Sequence, residues 1–167
     1  MDDAFGHWIS GFVDGEGSFT VGRRKEKSGP IRYTPRFAIA VRADDSDVIL
    51  KIRAAFGGMG SFYAKNRLDK YDSPNANPQV VWQVDGKADL PKLVSHFMEF
   101  PLRAKKRRDF IVWAGAVREY TKAHPDKEKL SSLKSVLEKG REYQSNGHYK
   151  LLVDTQPELF RMEAESD

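Results

Sequence analysis

Asp14 and Glu16 are the residues most able to do chemistry. They lie in the run Ile9-Ser10-Gly11-Phe12-Val13-Asp14-Gly15-Glu16-Gly17. Phe5, Trp8, Ile9, Phe12 and Val13 upstream have helical apolar spacing. Asp2 and Asp3 are suited to cap that helix, and Gly15 and Gly17 to stop it. Both acids then fall at a helix C-terminus, where the macrodipole is already negative. Carboxylates beside unsatisfied carbonyls repel unless a cation sits among them. A hard divalent ion held by carboxylate and backbone oxygen resolves the conflict.

The elements that position these acids follow from the pattern downstream. Strands are expected over 18–25 and 32–42. In the second, Phe37, Ile39 and Val41 alternate with Arg36, Ala38, Ala40 and Arg42. Pro35 marks an edge or a bulge. Asp44, Asp45 and Ser46 offer N-caps to a helix whose core stripe is Val48, Ile49, Ile52 and Phe56. Gly57, Gly58 and Gly60 end it and open a strand over 61–68. A polar loop leads to a fourth strand over 79–84, and helices follow over 90–100 and 105–121. Helix, two strands, helix, two strands, helix predicts an α+β fold, with one antiparallel sheet and helices on one face.

The set of strand residues opposite the core is polar and cationic: Ser18, Thr20, Arg24, Arg36, Arg42, Tyr63, Lys65, Arg67, Gln79 and Gln83. Arginine pairs bidentately with guanine and glutamine with adenine in the major groove, while lysine contacts phosphate. Between Ser18 and Lys70 stand 12 Lys/Arg against 5 Asp/Glu, although the whole chain is only +4. The last fourteen residues carry 5 acids and a single arginine. A basic sheet with an acidic tail suits a polyanion partner. A second basic cluster, Arg103-Ala104-Lys105-Lys106-Arg107-Arg108, stands at the start of the 105–121 helix.

Composition removes other classes. The chain has no cysteine, so disulfides and thiolate metal sites are excluded. His7, His96, His124 and His148 are scattered and form no zinc pattern. No apolar run approaches a membrane span and no signal peptide is evident, so the expected location is intracellular: the cytoplasm of a prokaryote or an organelle. The 167 residues are expected to divide at 124/125 into a core and a C-terminal helical extension with an acidic tail. The extension's helix spans 127–144.

The run from Ile9 to Gly17 resembles the LAGLIDADG motif of homing endonucleases. Ile9 stands for its first leucine, Ser10 for alanine, and Asp14, Gly15 and Glu16 at its acid-small-acid positions. Trp8 before it and Gly17-Ser18-Phe19 after it agree as well. The resemblance covers residues 5–120. It implies an αββαββα fold with a saddle-shaped antiparallel sheet, and Mg²⁺-dependent hydrolysis of both strands of DNA at a long near-palindromic target, with Mn²⁺ or Ca²⁺ as other ions for the site. Glu16 and the Gly15 carbonyl are the implied metal ligands. Lys105, with Lys106 as the alternative, matches the family's active-site lysine. Arg42 stands where the family often has a glutamine that orders water, and an arginine there suits a phosphate instead.

Gly11 and Gly15 form a Gly-x-x-x-Gly pair that lets a second helix approach closely. No second acid-bearing copy follows in the chain. The resemblance therefore implies a homodimer joined through Trp8, Gly11, Phe12 and Gly15. Two other classes would keep the fold and the basic face: a maturase binding intron RNA, and a sequence-specific DNA-binding protein that no longer cuts.

Overall fold

The computed structural model describes residues 1–25, 29–65 and 78–146, with the side chains of 141–146 excepted. The element order is α1 (Asp3–Glu16), β1 (Gly17–Lys25), β2 (Ile31–Arg42), a 3₁₀ turn (Ala43–Asp45), α2 (Ser46–Ala55), β3 (Ser61–Lys65), β4 (Gln79–Val84), α3 (Leu90–Glu99), α4 (Lys106–Thr121) and α5 (Lys127–Asn146). The strand order is β1-β2-β4-β3, and both β2 and β3 run antiparallel to β4. The α+β fold with the αββαββα order is therefore the observed one.

Asp2 caps α1: its Oδ1 accepts the Phe5 N–H at 2.8 Å. Gly15 does not stop the helix, as the sequence pattern suggested, but lies inside it. The cap is Gly17, whose N–H donates to the Val13 carbonyl. A Cβ at Gly17 would stand 2.8 Å from that same oxygen, so the tight exit from helix to strand requires glycine there.

The Asp44-Asp45-Ser46 capping expectation fails. No side chain caps α2, and a 3₁₀ turn leads into it. The Asp44 carboxylate is engaged by Arg42 instead, which offers two charged donors against one backbone N–H. Gly57, Gly58 and Gly60 all have positive φ, so the turn between α2 and β3 uses glycine's access to the left-handed region. Pro35 sits on β2 beyond Phe37, the last residue of β2 paired with β4, so its missing N–H costs that ladder nothing.

The chain forms two compact units. The first contains residues 1–18 and 36–103. Its core gathers Ile9 and Val13 of α1, Phe37, Ile39 and Val41 of β2, Ile49 and Ile52 of α2, Trp82 and Val84 of β4, and Leu90, Leu93 and Phe97 of α3, all buried. Trp82 Nε1 donates to the Met59 carbonyl at 2.8 Å, which satisfies the one polar atom of that ring. The second unit contains residues 19–35 and the chain from Ala104 on. Phe19 there packs on Trp113 and Phe110, with ring centroids 5.1 and 5.7 Å away. α5 buries Leu130, Leu133, Val136 and Leu137. Its start is anchored by Glu119, whose buried carboxylate takes Lys122 Nζ at 2.8 Å and the Asp126 N–H at 3.0 Å. Those bonds, Lys122 foremost, hold the Glu119 carboxyl down to about 2.

Candidate active site and nucleic-acid interface

The two motif acids have different fates. Asp14 is half-buried, and its Oδ2 accepts the backbone N–H of Arg103 at 2.8 Å. That bond ties the end of α1 to the segment after α3, so one carboxylate oxygen of Asp14 is matched by a protein donor. Glu16, the last residue of α1, is exposed. It opens into a pocket of about 300 Å³ lined by Phe12, Glu16, Val41, Arg42, Asp45 and Val48. The α1 C-terminus, the end of β2 and the start of α2 thus bring Glu16 and Arg42, both singled out from sequence, to one cleft. Asp45 is the residue sequence reasoning missed as a site candidate. Its place in the Asp44-Asp45-Ser46 run masked it, and it lines the cleft from the end of the 3₁₀ turn.

The donors suit a hard cation. Glu16 and Asp45 are carboxylates, and the C-terminal carbonyls of α1 carry the negative end of the helix dipole. Among the described residues no group of three or more His, Cys, Asp or Glu could enclose a metal. Arg42 lies beside this set in a bidentate pair, with Nε 3.0 Å from Asp44 Oδ1 and Nη2 2.7 Å from Oδ2. The pair is exposed, with more than half of each side chain open to solvent, so a phosphate can compete for the guanidinium at small cost.

The sheet face of the first unit is ordered by register. Arg42, Gln79 and Lys65 stand opposite one another across β2, β4 and β3. The next row is Ala40, Val81 and Tyr63, and the next Ala38, Gln83 and Ser61. Arg36, Arg42, Tyr63 and Gln79 are exposed, and Lys65 and Gln83 half-buried. Asp85, just after β4, joins this face, 3.5 Å from Arg36 Nε and accepting from Gln83 Nε2 at 3.0 Å. On β1, Ser18 and Thr20 are half-buried and Arg24 exposed, alternating with buried Phe19 and Val21. Arg67 lies outside the described residues. Lys105 belongs to the second unit, exposed at the N-cap position of α4, with Lys106 the first helical residue.

The opposite edge of α1 is open. Trp8 is 45% exposed and stacks between Phe5 and Phe12, each ring centroid 5.5 Å away. Gly11 and Gly15 are exposed, and a Cβ at either would meet nothing within 4 Å.

The family model for the LAGLIDADG endonucleases matches residues 9–117. The chain belongs to the LAGLIDADG endonuclease family. Among relatives of this LAGLIDADG chain, the probable intron-encoded endonuclease 3 of Neurospora crassa is 31% identical over 134 residues, covering 77% of the chain and 23% of that protein. The probable intron-encoded endonuclease Cox1-I1b of Schizosaccharomyces pombe is 27% identical over 113 residues, covering 68% and 27%. The chain thus spans about a quarter of the length of the curated relatives it matches. Among solved structures, the homing endonuclease I-TnaI aligns with a TM-score of 0.64 at 25% identity, over 92% of this chain and 97% of that one. I-GzeII, a LAGLIDADG homing endonuclease solved in complex with its DNA target, aligns with a TM-score of 0.61 at 23% identity over 79% and 42%, a likeness of fold. No helix among the described residues is long and apolar enough to cross a membrane.

Proposed function

We propose that the chain is a site-specific endonuclease that hydrolyses both strands of duplex DNA with a divalent cation, and that it acts as a homodimer. The observation that carries this reading is the division of labour between the motif acids. Asp14 is matched by the Arg103 N–H, and Glu16 stands open beside Arg42 in the cleft. Membership of the family and relatives named intron-encoded endonucleases support the same chemistry.

Glu16 and the Gly15 carbonyl would hold the ion, Mg²⁺ by preference. When bound there, it supplies a Lewis acid that lowers the pKa of a water and offsets charge on the leaving oxygen. Arg42 exchanges Asp44 for a phosphate oxygen and holds the backbone in place. Lys105 offsets charge that develops on the scissile phosphate. Ser18, Thr20, Arg24, Arg36, Tyr63, Lys65, Arg67, Gln79 and Gln83 meet the duplex by phosphate contact or base edge. The second Glu16 comes from a second chain that docks on Trp8, Gly11, Phe12 and Gly15. Residues 1–124 form the endonuclease core, and 125–167 an appended element.

The test is cleavage of a plasmid carrying the host intron-insertion junction, with Mg²⁺ or with EDTA. Glu16→Gln is expected to lower the single-turnover rate by about 10²-fold or more while duplex affinity and thermal stability hold. Lys105→Met is expected to reduce the rate of bound protein, whereas Arg107→Ala and Arg108→Ala reduce affinity. Full cleavage by Glu16→Gln would overturn the mechanism. Tight binding of the intron RNA with no duplex cleavage by the wild type would favour a maturase, and duplex binding without cleavage a DNA-binding protein that has lost its chemistry.

A further inference from the structure

Four side chains form a connected network on the sheet face of the first unit. Tyr63 Oη donates to Gln83 Oε1 at 3.3 Å. Gln83 Nε2 donates to Asp85 Oδ2 at 3.0 Å. Arg36 Nε lies 3.5 Å from the same carboxylate oxygen. The network crosses three neighbouring strands, with Arg36 on β2, Gln83 on β4 and Tyr63 on β3, and Asp85 just after β4.

Asp85 determines which way the Gln83 amide points. A carboxylate only accepts hydrogen bonds, so the amide NH₂ must face it. With the amide reversed, Gln83 Oε1 would oppose Asp85 oxygen to oxygen. Tyr63 reinforces that sense from the other end, since its hydroxyl proton has a carbonyl to meet. Arg36 balances the charge of Asp85, so the carboxylate can stand on a face that otherwise attracts phosphate. The side chains of Arg36 and Asp85 are 45% and 40% exposed, so the network is open to a ligand.

A primary amide has two donor hydrogens and two acceptor lone pairs. The network uses one of each on Gln83. The remaining hydrogen and lone pair sit on one planar group whose sense is set. That pair matches the major-groove edge of adenine, which offers the N7 acceptor and the N6 donor side by side. Guanine presents two acceptors there and cytosine a donor, and neither matches.

We propose that Gln83 reads an adenine in the target duplex and that Asp85 is the positioning residue that holds its amide in the reading sense. This assignment rests on the reading that the sheet face meets duplex DNA. Gln83→Ala is expected to abolish an A·T preference at one base-pair position of each half-site, and to lower affinity for the wild-type site about tenfold. Gln83→Arg, beside Asp85, is expected to move that preference to G·C. Asp85→Asn replaces a pure acceptor by a group that can also donate, so the amide can take either sense. It is expected to blunt the adenine preference at the same position while affinity for random duplex rises, because a negative charge leaves the face.

The experiment is enrichment of duplexes from a random-sequence pool by the whole protein, wild type and each variant, followed by binding measurements on the enriched site. Circular dichroism melts confirm that each variant folds. A wild type that enriches no sequence overturns the DNA reading and this assignment together. A sequence enriched by the wild type whose base preferences are unchanged in Gln83→Ala overturns this assignment alone. An undiminished adenine preference in Asp85→Asn removes the positioning role from Asp85.

Discussion

The two long faces of α1 use the same kinds of residue for opposite ends. On the inner face Gly6, Ile9, Ser10 and Val13 are buried. Gly6 is glycine because of Phe100: a Cβ there would stand 2.7 Å from the ring. Ser10 Oγ donates to the Phe100 carbonyl at 2.6 Å, within the same corner. On the outer face Gly11 and Gly15 leave open space, and Trp8 is exposed. A helical glycine with open space where a Cβ would stand lowers helix stability relative to alanine. The contrast teaches that the inner-face glycine is required by this fold, whereas the space at the outer-face glycines is what the proposed homodimer would use.

The largest effect expected at the inner corner comes from acid. His96 is buried against Phe56, Phe97 and Phe100, with ring centroids 5.0, 4.9 and 5.1 Å away. Burial pushes its imidazole down to about 4, from an ordinary value of 6.5. Above pH 6.5 folded and unfolded states are both neutral at this residue. As pH falls from 6.5 towards 4 the unfolded chain takes up a proton that the folded chain refuses, so stability falls by about 3 kcal/mol in total. Urea titrations across that range measure it, and His96→Leu is expected to flatten the dependence. A wild-type slope unchanged in His96→Leu would place the acid sensitivity elsewhere.

Gly6→Ala follows in size. The methyl group must displace the buried Phe100 ring, an overpacking cost of about 2 kcal/mol. A thermal melt reads it directly, and an unchanged midpoint would mean the corner is loosely packed. Ser10→Ala leaves the Phe100 carbonyl buried without its donor, at a cost of about 1–2 kcal/mol. Ser10→Thr, which keeps a hydroxyl, is expected to retain part of that.

Gly11→Ala is the smallest in stability and the sharpest test of the comparison. In dilute protein it is expected to raise stability by about 0.5–1 kcal/mol, because alanine is the better helix former and no atom opposes the new methyl. Self-association is expected to weaken in the same variant, and Gly11→Leu to abolish it by sedimentation. A Gly11→Ala variant that loses stability as Gly6→Ala does would erase the distinction between the faces.

Much of this molecule could be read along the chain. The α1 helix, its Asp2 cap, the alternation of Phe37, Ile39 and Val41 and the glycines after α2 depend on neighbours within a few residues, and each lies where the pattern places it. The candidate site was legible in part. Glu16 and Arg42 were named, but Asp45 was read as a cap. Asp44 was assigned to a backbone N–H when the stronger charged donor of Arg42 stood two residues away.

Local spacing and residue chemistry therefore determined the helices and strands, the motif acids and the cationic character of the sheet. The strand order β1-β2-β4-β3, the Asp14–Arg103 bond and the Tyr63-Gln83-Asp85-Arg36 network came only with the tertiary structure. The physical reason is range. A cap or an alternation is set by atoms a few residues apart, whereas Asp14 and Arg103 are separated by 89 positions, and nothing in either neighbourhood names the other. Which of the two motif carboxylates is matched by a backbone donor, and which is not, is decided by that distant segment.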